Sequence, residues 1–176
     1  MCDALPQSVD PRRLAELQRE LAGTLPLSRL PRLAQLVLSD PTAEPGCAAY
    51  RLAFRRDASG RDLVQGEVTA TLRLRCERCN GVLELPVAST FTLAVVDGLD
   101  EAARLPEDYE PLLPEEATLD PATLVEDELL LAVPTVPRHP VGACSAPAYT
   151  EPEGDASPAS GEPSPFAALE GLKRYH

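Results

Sequence analysis

A run of alternating side chains and a second apolar-rich run meet at a pair of cysteines, and this constrains the chain more than any other feature. In the first run Val68, Ala70, Leu72 and Leu74 point to one face, and Thr69, Thr71, Arg73 and Arg75 to the other. A second apolar-rich run follows from Val82 to Val95, and Cys76-Glu77-Arg78-Cys79-Asn80-Gly81 lies between them as the connecting turn. Period two with a short polar link is the signature of neighbouring antiparallel strands. A third strand is expected from Cys47 to Phe54, set off from the run beginning at Leu63 by the turn Asp57-Ala58-Ser59-Gly60.

Helices are fewer. Asp10-Pro11 and Asp120-Pro121 each place an N-cap side chain before a proline suited to the first helical position. The apolar spacing of Leu14, Leu17, Leu21 and Ala22 predicts a helix from Arg12 to Ala22, ending at Gly23. A second helix is expected over Thr123–Val133, stopped by Pro134, with Leu124, Val125, Leu129 and Ala132 buried. Leu30 to Leu38 fits either element and is read as a strand. The expected fold is α+β, an antiparallel sheet with two main helices over residues 1–144. A disordered Pro, Ser and acidic stretch at 145–165 and a short docking segment at 166–176 follow, the latter carrying Phe166, Leu169 and Leu172 at spacing three.

Charge narrows the partners. Sixteen basic against 28 acidic residues give a formal charge of −12. Such a chain is poorly suited to coating a phosphate backbone, because that binding is driven by Lys and Arg displacing counterions. The charge sits in blocks. Residues 51–78 hold Arg51, Arg55, Arg56, Arg61, Arg73, Arg75 and Arg78 against four acids (7 − 4 = +3), whereas residues 97–128 hold twelve acids and only Arg104 (1 − 12 = −11). The acidic belt reads as a solvated surface or as a field that attracts a basic protein. No apolar run approaches the roughly 18 residues of a membrane span. The start lacks a basic, then apolar, leader, so a cytoplasmic setting is expected. Five cysteines (Cys2, Cys47, Cys76, Cys79 and Cys144) cannot all pair, which favours thiols or metal ligands over disulfides.

Cys76-x-x-Cys79 offers two sulfurs to one ion, and His139 and Cys144 are the remaining donors for a Cys3His set suited to structural zinc. Free thiols in a small hairpin are the alternative. Redox work is disfavoured, since Asn80-Gly81 and a strand follow Cys79 and no helix N-terminus is available to lower its pKa. Hydrolytic and nucleotide-binding motifs are absent, and only His139 and His176 exist. Glu126-Asp127-Glu128 is no magnesium site, because consecutive helical residues project about 100° apart. A solvated helix face is the plainer reading.

Several stretches, in order, are similar to one family. They are Leu74-Arg75-Cys76-Glu77-Arg78-Cys79 after a strand, Leu105-Pro106-Glu107-Asp108-Tyr109-Glu110-Pro111, and Val125-Glu126-Asp127-Glu128-Leu129-Leu130-Leu131-Ala132-Val133-Pro134. Val136-Pro137-Arg138-His139, Cys144, Pro165-Phe166-Ala167 and Leu169 complete the set. The chain resembles the YceD family, large ribosomal RNA subunit accumulation proteins of bacteria with relatives in plant organelles, from about Leu25 onward. The resemblance implies a cytoplasmic role in synthesis, processing or stability of the large-subunit (23S) ribosomal RNA, with no assigned catalytic activity. Cys76 and Cys79 match the family's paired cysteines, and His139 and Cys144 match a site that holds further cysteines in some relatives.

The expected function is therefore a non-catalytic ribosome-biogenesis factor. It acts through ribosomal proteins or assembly factors met by the acidic belt, including Glu126, Asp127 and Glu128, and by Phe166, Leu169 and Leu172. RNA contact is limited to Arg73, Arg75 and Arg78. The rival readings are a zinc-dependent or thiol enzyme of RNA metabolism and a direct RNA-binding module built on Arg51–Arg78.

Overall fold

Alternation along the central strands sets the architecture. A computed structural model describes residues 5–38, 46–114 and 117–147, and the proposed docking residues Phe166, Leu169 and Leu172, like most of the expected linker, lie outside them. The strands are β1 (Glu20–Pro26), β2 (Cys47–Arg56), β3 (Asp62–Arg75), β4 (Val82–Val95) and β5 (Glu110–Leu112). The helices are α1 (Pro11–Glu16), α2 (Pro31–Leu36), α3 (Leu99–Ala102) and α4 (Pro121–Ala132), with a 3-10 turn at Leu27–Arg29. The sheet order is β1-β2-β3-β4-β5. The first four strands form an antiparallel meander, while β5 runs parallel to β4. The all-antiparallel expectation is corrected on that point: the excursion through α3 brings the chain back to the free edge of β4 in the same direction.

The register carries the alternation across the sheet. Tyr50 lies opposite Val68, Val68 opposite Ser89, and Ala70 opposite Val87. Ala48, Tyr50, Leu52 and Phe54 of β2 and Val64, Val68, Leu72 and Leu74 of β3 therefore share one buried face. α1 packs on β2 and β3, α4 packs on β4 and β3, and Leu124, Val125 and Leu129 of α4 enter the same core. Ala132 is only partly buried. Asp120 caps α4 by accepting from the Ala122 N–H at 2.9 Å, and Asp10 caps α1 by accepting from the N–H groups of Arg12 and Arg13. The two caps sit side by side, because Val9 and Leu119 exchange backbone hydrogen bonds of 2.9 and 2.8 Å.

Two expected elements are corrected. The helix forecast to Ala22 stops at Glu16, Gln18 takes a positive φ of 50°, and residues 20–26 join β2 instead. Long-range pairing wins there over a local helical pattern. Gly23 faces Tyr50, whose hydroxyl lies 2.9 Å from where a Cβ would stand. The strand forecast over Leu30–Leu38 is a helix with Pro31 in its first turn, burying Leu33. Only Leu38 bonds to the sheet, donating to the Arg73 carbonyl at 2.7 Å where β2 no longer covers β3.

Gly66 shows how tightly the sheet's inner face is filled. It lies opposite Phe91, and an added Cβ would collide with the ring, 1.9 Å from its tip. Gly66→Ala is expected to cost about 1–3 kcal/mol by overpacking, read as a melting temperature several degrees lower. Gly98→Ala, at an extended φ of −179° with open space around it, should leave the melt unchanged. Equal melts for the two variants would show that Phe91 yields without cost.

Candidate metal centre

The turn between β3 and β4 is built to present sulfur. Asn80 adopts a positive φ of 59°, its N–H donates to the Cys76 carbonyl at 2.9 Å, and the Cys76 N–H donates to the Gly81 carbonyl at 2.9 Å. This closes a six-residue loop and leaves the Gly81 N–H 3.4 Å from the Cys79 sulfur. The segment after α4 lies against that turn, with the Glu77 N–H donating to the Pro137 carbonyl at 2.9 Å. His139 and Cys144 arrive with it.

The four predicted ligands are brought together. The Sγ atoms of Cys76, Cys79 and Cys144 and a ring nitrogen of His139 all lie within 4.8 Å of one another. The Cys76 and Cys144 sulfurs are 3.9 Å apart, and Nδ1 of His139 is 3.5 Å from the Cys79 sulfur. A tetrahedral ion with bonds of about 2.3 Å to sulfur and 2.0–2.1 Å to nitrogen separates S and S by about 3.8 Å and S and N by about 3.6 Å. The donor spacing fits such an ion. Nε2 of His139 lies 3.0 Å from the Val82 carbonyl, which only accepts, so Nε2 carries the proton and Nδ1 keeps its lone pair for a ligand. Sequence gave no hint of Val82, since a backbone carbonyl carries no residue-type signal.

Sulfur electrostatics agree with that donor set. Burial pushes the Cys76 thiol up, but the backbone N–H groups of His139, Cys79 and Arg78, with the Cys79 thiol, outweigh it and hold it down at about 5. Burial and the neighbouring Cys79 and Cys76 sulfurs push Cys144 up to about 11. One sulfur is thus readied as a thiolate while another resists joining it, the pattern expected where crowded thiolates need a cation between them. Cys76 is fully buried, so no substrate reaches its sulfur. That speaks against Cys76 as a nucleophile.

Of the arginines in residues 51–78, Arg51 and Arg55 pair with Glu20, Arg56 with Asp62 and Glu16, and Arg61 with Asp57. Arg73 and Arg75 lie in the last residues of β3, and Arg78 in the cysteine turn. The acidic belt divides too. Asp97, Asp100, Glu101, Glu107, Asp108 and Glu110 are exposed, whereas Glu126 and Glu128 are buried. The reading of residues 126–128 as a solvated face is therefore corrected, and only Asp127 remains partly at the surface. Glu126 caps α2 from another helix, accepting from the N–H groups of Arg32 at 2.7 Å and Leu33 at 3.0 Å and from Nε of Arg32 at 2.9 Å. Glu128 accepts from the Ser89 hydroxyl at 2.8 Å.

A four-stranded antiparallel meander extended by one parallel strand and tied at one end by a Cys3His cluster defines a small α+β protein with the makings of a structural metal site. The chain belongs to the YceD family: residues 64–173 match the family described as Large ribosomal RNA subunit accumulation protein YceD. It is 35% identical over 179 residues to the large ribosomal RNA subunit accumulation protein YceD of Haemophilus influenzae, covering 97% of each chain. No solved structure matches. The family is named for RNA accumulation and not for a reaction. No helix among the described residues is long and apolar enough to cross a membrane.

Glu128 gives this region a pH signature. Burial raises its pKa, opposed by the Ser89 hydrogen bond and reinforced by Glu110 and Asp127. A carboxyl whose folded value lies above its unfolded one favours the native state when protonated. That contribution is full below about pH 4.3 and is lost as pH rises through the folded value. Glu128→Gln keeps an acceptor for Ser89 and removes the charge, so its melting temperature should match or exceed the parent's at pH 7 and gain least at pH 4. A variant less stable at pH 7 than at pH 4, relative to the parent, would show that the ionised carboxylate is needed.

Proposed function

We propose that this chain is a non-catalytic, cytoplasmic factor supporting the synthesis, processing or stability of large-subunit ribosomal RNA. It works through protein partners of the assembling subunit, with a structural zinc ion held by Cys76, Cys79, His139 and Cys144. The match along 97% of the chain to a protein named for large-subunit RNA accumulation carries the reading. Donor spacing supports the zinc. Its chemistry there is to neutralise three thiolates and fix the segment after α4 to the β3–β4 turn, a closed site holding structure. The exposed acids from Asp97 to Glu110, of which Asp97 is paired with Arg12 at 2.6 Å, support a basic protein as the partner.

Protein purified under reducing conditions should carry one zinc per chain by elemental analysis. Cys144→Ser should lose it, with a melting temperature lower by about 10 °C or more, since structural zinc sites contribute folding energy directly. Substoichiometric zinc together with a melt indifferent to chelator would remove the metal from the account. In cells, loss of the gene should lower the ratio of large- to small-subunit ribosomal RNA, with restoration by the parent gene. Deleting residues 165–176 should weaken recovery of ribosomal proteins without moving the melt. A normal ratio with normal precursor ends would sink the functional reading.

A further inference from the structure

Three arginines each immediately precede a member of the cluster: Arg75 before Cys76, Arg78 before Cys79 and Arg138 before His139. Gathering the four donors within 4.8 Å therefore gathers three guanidinium groups at the same end of the sheet. Arg75 and Arg138 are exposed and Arg78 is partly so. None of the three enters an ion pair among the described residues, and the Arg78 guanidinium donates to the Cys144 carbonyl and sulfur, at 3.5 and 3.9 Å. Arg73 lies two residues before Arg75 on the same outer face of β3. The arginines at the other end of β3 behave differently, since Arg56 and Arg61 are both taken by carboxylates.

Topology makes this end distinct. β4 begins at the cysteine turn and ends at Val95, two residues before Asp97, where the acidic belt begins. At about 3.3 Å per residue the two charged regions are separated by roughly 40 Å along the strand. A chain of net charge −12 thus places Arg75, Arg78 and Arg138 at the end of β4 opposite the acids from Asp97 to Glu110.

We propose that the surface formed by Arg75, Arg78 and Arg138 around the cysteine cluster is a contact for the phosphodiester backbone of RNA. Guanidinium groups present a planar fork of donors that matches phosphate oxygens and stays charged at any physiological pH. Their rigid attachment, to a strand end, a tight turn and a loop tied to that turn, lowers the ordering cost of binding. The assignment deepens the proposed function and rests on it for the choice of RNA over an acidic protein. It places RNA and the basic partner at opposite ends of one molecule.

The test is fluorescence anisotropy of a labelled single-stranded RNA oligonucleotide with the full-length protein as purified, titrated at several KCl concentrations. Three phosphate contacts predict a slope of log affinity against log salt of about −2, or roughly 15-fold weaker binding between about 50 and 200 mM KCl. Arg75→Gln with Arg138→Gln should remove about two-thirds of that slope while leaving the melt and zinc content unchanged. Arg51→Gln with Arg55→Gln, which removes arginines already paired to Glu20, should keep affinity within about twofold. Absence of binding at low salt, a slope near zero, or an equal loss from both double variants overturns the proposal. Competition by poly-glutamate as strong as by unlabelled RNA also overturns it and assigns the surface to an acidic protein. Failure here leaves the ribosomal RNA ratio and partner recovery to stand or fall alone, so the two readings are separable.

Discussion

Three sulfurs and an imidazole hold together two segments sixty residues apart, and much of one end of this molecule depends on that closure. The β3–β4 turn lies beyond the reach of β2, whose last paired residue on that side is Ala48, opposite Ala70. The described segment after α4, residues 134–147, has no helix or strand. What joins them to each other is the cluster, the Glu77-to-Pro137 hydrogen bond and the His139 ring donating to Val82. An ion in the centre would turn mutual repulsion of thiolates into attraction, and backbone N–H groups already aim at the sulfurs it would need.

A second closure is made by carbon and oxygen. Glu126 stands on α4 yet supplies the N-terminal cap that α2 lacks, and it does so while 3% exposed. A buried carboxylate is costly unless its lone pairs are satisfied, and here two backbone N–H groups and a guanidinium satisfy them. Six residues led by a proline would be marginal as an isolated helix. The carboxylate aligns α2 with α4, and Leu33 follows into the core.

These two closures explain what the sequence disclosed and what it concealed. β2, β3 and β4 were legible because alternation is a local property and their turns are short. The Asp-Pro starts of α1 and α4 were legible because a cap and its helix are adjacent in sequence. The start of β1, to Ala22, was read as helix because Leu14, Leu17 and Leu21 share a helical spacing, while the strand that pairs with it, β2, is some thirty residues away. α2 was missed because its cap is 94 positions away. The same distance hid the roles of Glu126 and Glu128, which look like surface acids in sequence and are spent on Arg32, Leu33 and Ser89. The four metal ligands were legible as residue types at a plausible spacing, and they converge within 4.8 Å, while the Val82 carbonyl that orients the His139 ring was not legible.

Separation of charge is the remaining consequence of the topology. The acids from Asp97 to Glu110 follow the far end of β4, and Arg75, Arg78 and Arg138 surround its start. At physiological ionic strength potentials decay over about 8 Å, so ends roughly 40 Å apart hardly influence each other's encounters. The net charge of −12 therefore understates what the arginine end offers to an anion. Within one Debye length of the cysteine turn the local balance decides, and there the exposed guanidinium groups oppose chiefly Glu77 and Glu84. A strand pair this long lets a strongly acidic protein hold a basic partner at one end and an anionic one at the other. Were the strands half as long, the acidic field would reach the arginines at low salt and weaken that end first.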